Sequence, residues 1–140
     1  MAKHFLADYV EGEPEFKAEP WYNECGDCLE YLCANEAVVA DRVDGILTLY
    51  RSAEDNRVIG FQLKGVAALM RKYGSGQAAV AAKTNQGQVV SIMFLLLAAV
   101  KESRATGTGN GLETYRAALR ELGRVMDVDR KVEVLEPAGC

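Results

Sequence analysis

The strongest constraint on the fold is a set of three short segments in which apolar and polar residues alternate. In the clearest, residues 58–64 (VIGFQLK), every second side chain from Ile59 onward is large and apolar. Segments 28–33 (CLEYLC) and 45–51 (GILTLYR) have the same period. One buried face and one solvated face is typical of antiparallel sheets. The sequence predicts an antiparallel β-meander over 21–66 whose covered face carries Leu29, Tyr31, Leu47, Leu49, Ile59, Phe61 and Leu63.

Helical spacing dominates the second half of the chain. Apolar residues recur at helical intervals over 66–73, and Gly74 is a candidate C-terminal cap. Residues 75–88 read as a loop or a weak short helix, whereas 89–103 predict a helix that is apolar on nearly all sides. The predicted fold is therefore α+β, an antiparallel β-meander covered by two to three helices. A third helix, over 112–126, presents an apolar seam of Leu112, Tyr115, Leu119, Leu122 and Met126.

The length of 140 residues fits one folded domain preceded by an arm. Residues 1–20 end in EGEPEFKAEP, an acidic segment with two prolines, and are predicted to form an N-terminal arm. Residues 21–140 are predicted to be a single α+β domain. Its parts are the meander (21–66), a helical part (67–126), and a short strand with a tail (127–140).

Three motifs lie within 21–66: Tyr22-Asn23-x-x-Gly26-Asp27-x-Leu29-x-Tyr31, Val43-Asp44-x-x-Leu47 and Val58-Ile59-Gly60-Phe61-Gln62-Leu63. Together they resemble a family of small bacterial domains of unknown function. The resemblance implies a three-stranded β-meander followed by a helix, and it implies no activity. The chain departs from the family pattern at Gln62, where an acidic residue is usual, and by a longer insert over 34–42.

Three cysteines within nine positions, Cys25, Cys28 and Cys33, raise the question of redox or metal chemistry. A thioredoxin-like centre needs a helix directly after Cys-x-x-Cys, but the residues after Cys28 alternate like a strand. Zinc would need a fourth ligand, such as His4 or Cys140, and a strand points Cys28 and Cys33 to opposite faces. We therefore expect a turn that enters a strand, with no metal and no cofactor; Cys25 and Cys28 remain the weak metal candidates.

No catalytic residue can be nominated from the sequence. The only histidine is His4, and the segment ending in Lys83-Thr84 lacks both glycines of a phosphate-binding loop. The glycines of 106–111 (TGTGNG) follow a predicted helix, whereas a dinucleotide fingerprint follows a strand. Asp41 and Asp44 could be an acid/base pair, but both are expected to be solvated turn carboxylates.

Charge and hydropathy restrict the choice of partners. Net charge is −4, and residues 1–70 hold six Lys/Arg against thirteen Asp/Glu, which disfavours nucleic-acid binding. The longest apolar stretch, 89–100, is too short to span a membrane, and the first sixteen residues lack the apolar core of a secretory signal. We expect a cytoplasmic protein with reduced cysteines. A stripe at i, i+4 and i+8 could bind an acidic protein or ligand: Arg116, Arg120 and Arg124.

The remaining apolar surface suggests self-association. One flank of the 89–103 helix has no obvious partner within the chain, which predicts a homodimer through Met93, Phe94, Leu96, Leu97 and Val100. The leading functional hypothesis is thus a non-enzymatic interaction or binding module that acts as a homo-oligomer, such as an accessory protein. The alternative is a small-molecule-binding protein or enzyme with an aromatic pocket between sheet and helices, lined by Tyr31, Tyr50, Phe61 and Phe94.

Overall fold

In a computed structural model of the chain, the described residues are 16–74, 80–83, 87–106, 112–127 and 129–135. These residues form eight strands and three helices, which confirms the predicted α+β class. In chain order the elements are β1 (Trp21–Asn23), β2 (Cys28–Leu32), β3 (Val38–Arg42), β4 (Leu47–Ser52), β5 (Val58–Lys64), α1 (Val66–Tyr73), β6 (Val80–Lys83), β7 (Gly87–Ser91), α2 (Ile92–Thr106), α3 (Leu112–Leu122) and β8 (Lys131–Leu135).

The first five strands form one antiparallel sheet in the order β1-β2-β5-β4-β3. The alternating segment 58–64 is its central strand, with Phe61 opposite Tyr31 on one side and Leu49 on the other. Every residue predicted for the covered face is buried, and all but Ile59 belong to one core cluster with residues of the three helices. The pattern was predictive for the other six residues because a strand exposes alternate side chains to opposite faces. Next to Ile59 the pairing of β5 with β4 shifts register, and Val58 belongs to the core cluster instead.

The insert over 34–42 supplies a strand of its own. Its last five residues, VVADR, form β3, which pairs with β4 and lies at the edge of the sheet. Strands β3, β4 and β5 are the antiparallel meander, and β2 pairs with the opposite side of β5. No structure was predicted for this insert, although its two β-branched residues, Val38 and Val39, are good strand formers.

Asp27 fixes the way in which the chain enters β2 and leaves β5. Residues 24–27 form a turn that enters strand β2, as predicted, and Asp27 adopts a positive φ of 49°. The first turn of α1 has no side-chain cap of its own because its N-cap residue is Gly65. Asp27 provides the missing acceptor: its Oδ1 accepts a hydrogen bond from the Ala67 amide at 2.8 Å, and its carbonyl accepts one from the Gly65 amide at 3.0 Å.

A second antiparallel sheet, in the order β6-β7-β8, corrects the sequence analysis. The helix predicted from 89 begins at Ile92, because residues 87–91 are the central strand β7. Residues 80–83, expected to be loop or helix, are strand β6; the other residues of 75–86 lie outside the described part. Residues 89–91 (Val-Val-Ser) fit a strand as well as a helix. Only their pairing with β8, which lies in the segment predicted to hold a short strand and a tail (127–140), decides between the two.

The helices complete the core on the inner face of the large sheet. Helix α2 contacts both α1 and α3, and Leu95, Leu96 and Ala99 on it are fully buried. The predicted seam of α3 faces this core through Tyr115 and Leu122, which are also buried. The side chain of Leu112 lies outside the described residues. Tyr115 differs from a purely apolar seam residue, since its hydroxyl donates a hydrogen bond to Asp44 Oδ2 at 2.6 Å.

Candidate functional site

The side of the large sheet away from the helices, here called the outer face, carries the convergent polar groups. Since the inner-face residues of β2, β4 and β5 are packed in the core, their alternate neighbours point to the outer face. The strand registers place these neighbours in two rows across the sheet. The first row is Trp21, Glu30, Gln62 and Thr48, and the second is Leu32, Gly60 and Tyr50.

Glu30 is the centre of the hydrogen-bonded network on the outer face. Its Oε1 accepts a hydrogen bond from the Tyr50 hydroxyl at 2.8 Å and one from Gln62 Nε2 at 3.4 Å. Gln62 Nε2 also lies 3.9 Å from Cys28 Sγ. Tyr50 and Glu30 are on strands β4 and β2, which are separated by β5, so the phenol must cross over β5 to reach the carboxylate.

Gly60 provides the space for this crossing. It lies between Leu32 and Tyr50 in the second row. A Cβ at position 60 would lie 1.9 Å from the Tyr31 carbonyl oxygen, so no other residue fits without displacing the backbone. Gly60 therefore brings β2 and β5 close together while leaving the outer face above it free of a side chain.

A cavity of about 570 Å³ opens over this network. Its floor includes Glu30, Leu32 and Tyr50, and residues of the segment 16–21 and of the loop after β2 form its rim. Among the rim residues, Phe16 is 40% exposed and Trp21 is 53% exposed. The volume is in the range of small-molecule sites, which is about 300–1,000 Å³. The lining residues are Phe16, Lys17, Glu19, Pro20, Trp21, Glu30, Tyr31, Leu32, Asn35 and Tyr50.

The electrostatic environment keeps the reactive groups of this region protonated. Burial, followed by the hydrogen bond to Glu30 and the charge of that carboxylate, raises the pKa of Tyr50. Burial likewise raises the pKa of the Cys28 thiol, with the nearby charge of Glu30 adding to the effect. At neutral pH, Tyr50 is therefore a hydrogen-bond donor rather than a base, and Cys28 is a thiol rather than a nucleophilic thiolate.

Two of the four predicted pocket residues line this cavity. Tyr50 contributes its hydroxyl network, and Tyr31 borders the cavity although its hydroxyl donates to the Val125 carbonyl at 3.0 Å. Phe61 is fully buried and Phe94 packs against the core, and neither is among the lining residues. The cavity therefore differs from the predicted pocket, which was placed between sheet and helices.

The described part of the chain contains three of the four cysteines, and they differ in bonding state. Cys28 and Cys33 are free thiols, and burial raises the pKa of both. Cys25 is exposed and disulfide-bonded, which corrects the expectation that all four cysteines stay reduced. Within the described ranges, no group of three or more His, Cys, Asp or Glu side chains is placed to hold a metal ion. His4 and Cys140 lie outside those ranges.

The predicted interface residues do not share one exposed flank. Leu96 is fully buried and Val100 is 9% exposed, because both already pack in the core of a single chain. Met93 and Phe94 are half-buried, and Leu97 is 49% exposed. Only three of the five residues are thus accessible to a second copy.

The predicted arginine stripe is shorter than its spacing indicated. Arg116 and Arg120 are exposed on α3, whereas Arg124 is exposed in the turn after the helix ends at Leu122. The regular i, i+4, i+8 spacing therefore describes a helical face only up to Arg120.

Trp21, Glu30 and Gln62 were not predicted from the sequence to belong to one site. Each occupies an outward position on its own strand, and solvated outward residues are common. The available signal was the position of the only tryptophan directly before an alternating strand, together with two polar outward residues on strands of unknown register. Their proximity depends on the pairing of β1, β2 and β5.

No family model, curated protein or solved structure matches this chain. The resemblance to bacterial β-meander domains therefore stays a prediction. In the described part of the chain, no helix combines the length and hydropathy needed to cross a bilayer.

Proposed function

We propose that the protein is a non-catalytic binding module that takes a small ligand into the cavity on the outer face of the large sheet. The observation that supports this most is the Tyr50–Glu30 pair, a hydrogen-bonded polar centre on the floor of a cavity of about 570 Å³. Apolar walls with a few convergent polar groups are typical of ligand sites. The proposal combines the leading hypothesis, a binding module, with the small-molecule ligand of the alternative, and places that ligand in a different cavity from the predicted one.

The protonation states favour binding over catalysis. A general base or nucleophile needs a pKa near or below the working pH, but the pKa values of Tyr50 and Cys28 are both raised. Glu30 is already hydrogen-bonded by Tyr50, so its carboxylate is oriented for recognition. A neutral phenol and an oriented carboxylate can fix the position of a ligand without transferring a proton.

A ligand screen on the purified protein tests the proposal. Trp21 is the only tryptophan and lies on the cavity rim, so its fluorescence reports on occupancy of this site. We expect a ligand that raises the melting temperature also to change this fluorescence. Tyr50→Phe should weaken binding about tenfold, because it removes one hydrogen bond to Glu30 and leaves the ring in place.

Tyr73→Phe is the matched control, because Tyr73 lies at the end of α1 and is not among the lining residues. It should bind as the unchanged protein does. The proposal would be refuted by a ligand that stabilises the fold but leaves Trp21 fluorescence unchanged and binds the Tyr50→Phe variant with the same affinity. Such a ligand would bind at another site.

We further propose that the module acts as a homodimer and that α2 contributes to the interface. Support comes from Leu97, which is 49% exposed, and from its half-buried neighbours Met93 and Phe94. The exposed Arg116 and Arg120 side chains support docking of an acidic protein or ligand on α3, with Arg124 beside them.

A further inference from the structure

We infer that the cavity binds an organic cation. The ammonium group of this ligand would lie between Trp21 and Tyr50, where the carboxylate of Glu30 balances its positive charge. This inference rests on the proposed function, since it names the chemical class of the ligand for the same cavity.

The strand register places an aromatic ring on each side of the carboxylate. Trp21 is the direct cross-strand partner of Glu30, so the indole and the carboxylate are neighbours on the outer face. On the other side, the Tyr50 hydroxyl lies 2.8 Å from Glu30 Oε1. Phe16, at the rim, adds a third ring to the same cavity. Clusters of aromatic rings recognise ammonium groups in proteins, and Glu30 adds a carboxylate of opposite charge to this cluster.

The two aromatic residues at the rim keep solvent-exposed surface that a bound ligand can cover. Trp21 is 53% exposed and Phe16 is 40% exposed, although both line a concave site. Large aromatic side chains usually bury most of their surface in the folded chain. A bound cation would cover these rings and gain cation–π attraction, which is strongest with an indole.

The charges of the cavity favour a cation over an anion. The charged lining residues are two carboxylates, Glu19 and Glu30, and one ammonium group, Lys17. Lys17 and Glu19 are exposed, whereas Glu30 is partly buried at the centre of the hydrogen-bonded network. An anion would thus meet the more desolvated carboxylate, where repulsion is least screened by water. Gln62 and the neutral Tyr50 add no charge to offset this.

Fluorescence and calorimetric titrations with matched probes test the inference. The probes are choline, ethanolamine, acetate, and the neutral isostere of choline in which a tert-butyl group replaces the trimethylammonium group. We expect choline or ethanolamine to change Trp21 fluorescence, and choline to bind about tenfold or more tightly than its isostere. Acetate should bind more weakly than either cation, and added salt should weaken cation binding.

Glu30→Gln tests the role of the carboxylate, because the amide keeps an acceptor for Tyr50 and loses the charge. This variant should lose the preference for choline over the neutral isostere, and its melting temperature will show that it is folded. The matched control is Glu54→Gln in the exposed turn after β4, which should keep the preference. A short peptide with one trimethylated lysine shows whether the head group comes from a free molecule or from a protein side chain.

The outcomes separate this inference from the proposed function. Equal binding of choline and its isostere, or tighter binding of acetate, would refute the inference that the ligand is a cation. The proposal of a ligand-binding cavity would still stand. Cation binding that survives Glu30→Gln unchanged would overturn the assigned site. If no probe in these titrations and no compound in the wider screen changes Trp21 fluorescence, both the inference of a cationic ligand and the proposed binding function are refuted.

Discussion

At the scale of single residues, Asp27 connects three parts of the chain. Its Oδ1 accepts hydrogen bonds from the Tyr22 hydroxyl at 2.5 Å and from the Ala67 amide at 2.8 Å, and its carbonyl accepts the Gly65 amide. The carboxylate thereby ties β1 to the start of α1, where it also complements the helix dipole. The turn that holds Asp27 thus positions a cap for a helix that starts 39 positions later, at Val66.

Asp27→Ala should lower the free energy of unfolding by about 1–2 kcal/mol, the usual effect of losing a helix cap. Ala is also less suited than Asp to the positive φ of 49° at this position. Asp27→Asn keeps an acceptor and tolerates that backbone conformation, so it should lose less. Urea denaturation measures both, with the exposed Asp129→Ala as the control. Equal stability of Asp27→Ala and the unchanged protein would mean that Asp27 does not cap α1.

At the scale of elements, α3 is attached to the turn between β3 and β4 through Asp44. One carboxylate oxygen accepts hydrogen bonds from the amides of Ile46 and Leu47, both at 2.8 Å, and the other accepts a hydrogen bond from the Tyr115 hydroxyl at 2.6 Å. Asp44 is therefore a structural carboxylate rather than the solvated turn residue expected from the sequence. Burial disfavours its charge, but the hydrogen bonds from Tyr115 and the two amides prevail and lower its pKa below the usual 3.8.

The lowered pKa of Asp44 predicts an acid-sensitive contact between α3 and the sheet. Ionised Asp44 stabilises the fold at pH values above the usual 3.8, and this contribution is lost as the pH falls through the lower pKa of the folded state. Tyr115→Phe removes one of the hydrogen bonds and should cost about 1–3 kcal/mol at neutral pH. The stability lost on acidification should also be smaller in this variant.

Urea denaturation across the acidic range measures both effects, with Tyr73→Phe as the control. The same acid dependence in Tyr115→Phe and in the unchanged protein would show that the contact does not hold Asp44 ionised.

The inner face of the large sheet gives a second prediction at this scale. Phe61 on the central strand is fully buried between Tyr31 and Leu49. Phe61→Ala should cost about 3–5 kcal/mol because it empties a core aromatic site. Val39→Ala on the exposed edge strand β3 is the control and should cost less than about 0.5 kcal/mol. A loss below about 1 kcal/mol for Phe61→Ala in urea unfolding would contradict the central position of this side chain.

At the scale of the whole molecule, two sheets and three helices bury most of the large apolar side chains of the described residues. Those that remain exposed are on different surfaces: Phe16 and Trp21 at the cavity, Val38 and Val39 on the edge strand, and Leu97 on α2. The second sheet, which the sequence analysis did not foresee, adds Val90, Val132 and Val134 to the same core cluster as Leu96 and Val100. The predicted interface residues that remain accessible to a second copy are therefore Leu97, Met93 and Phe94.

We predict that the protein is a homodimer of twice 15.3 kDa at tens of micromolar, as measured by light scattering on a sizing column. Leu97→Lys should raise the dissociation constant about tenfold or more, because burying a leucine contributes about 1.5–3 kcal/mol. Val39→Lys is the matched control, since Val39 is 54% exposed on the edge strand. A monomer mass would exclude the dimer. If Val39→Lys dissociates the dimer and Leu97→Lys does not, the interface is formed by β3 rather than by α2.

The sequence by itself determined the features that depend on local periodicity. The alternation over 58–64 assigned Phe61 and Leu63 to the covered face, and the spacing over 112–126 assigned Tyr115 and Leu122 to the core. These predictions held because each side chain's direction follows from the dihedral angles of its own strand or helix.

The tertiary structure alone decided the pairings between distant residues. Tyr50 meets Glu30 across 20 positions, Ala67 meets Asp27 across 40, and Tyr115 meets Asp44 across 71. Residues 87–91 became a strand because β8 pairs with them, although their local pattern also fits a helix. No periodic pattern encodes such contacts, because strand order and register depend on the packing of the whole core. The candidate cation site is therefore a property of the fold, assembled from outward residues that appear unremarkable in the sequence.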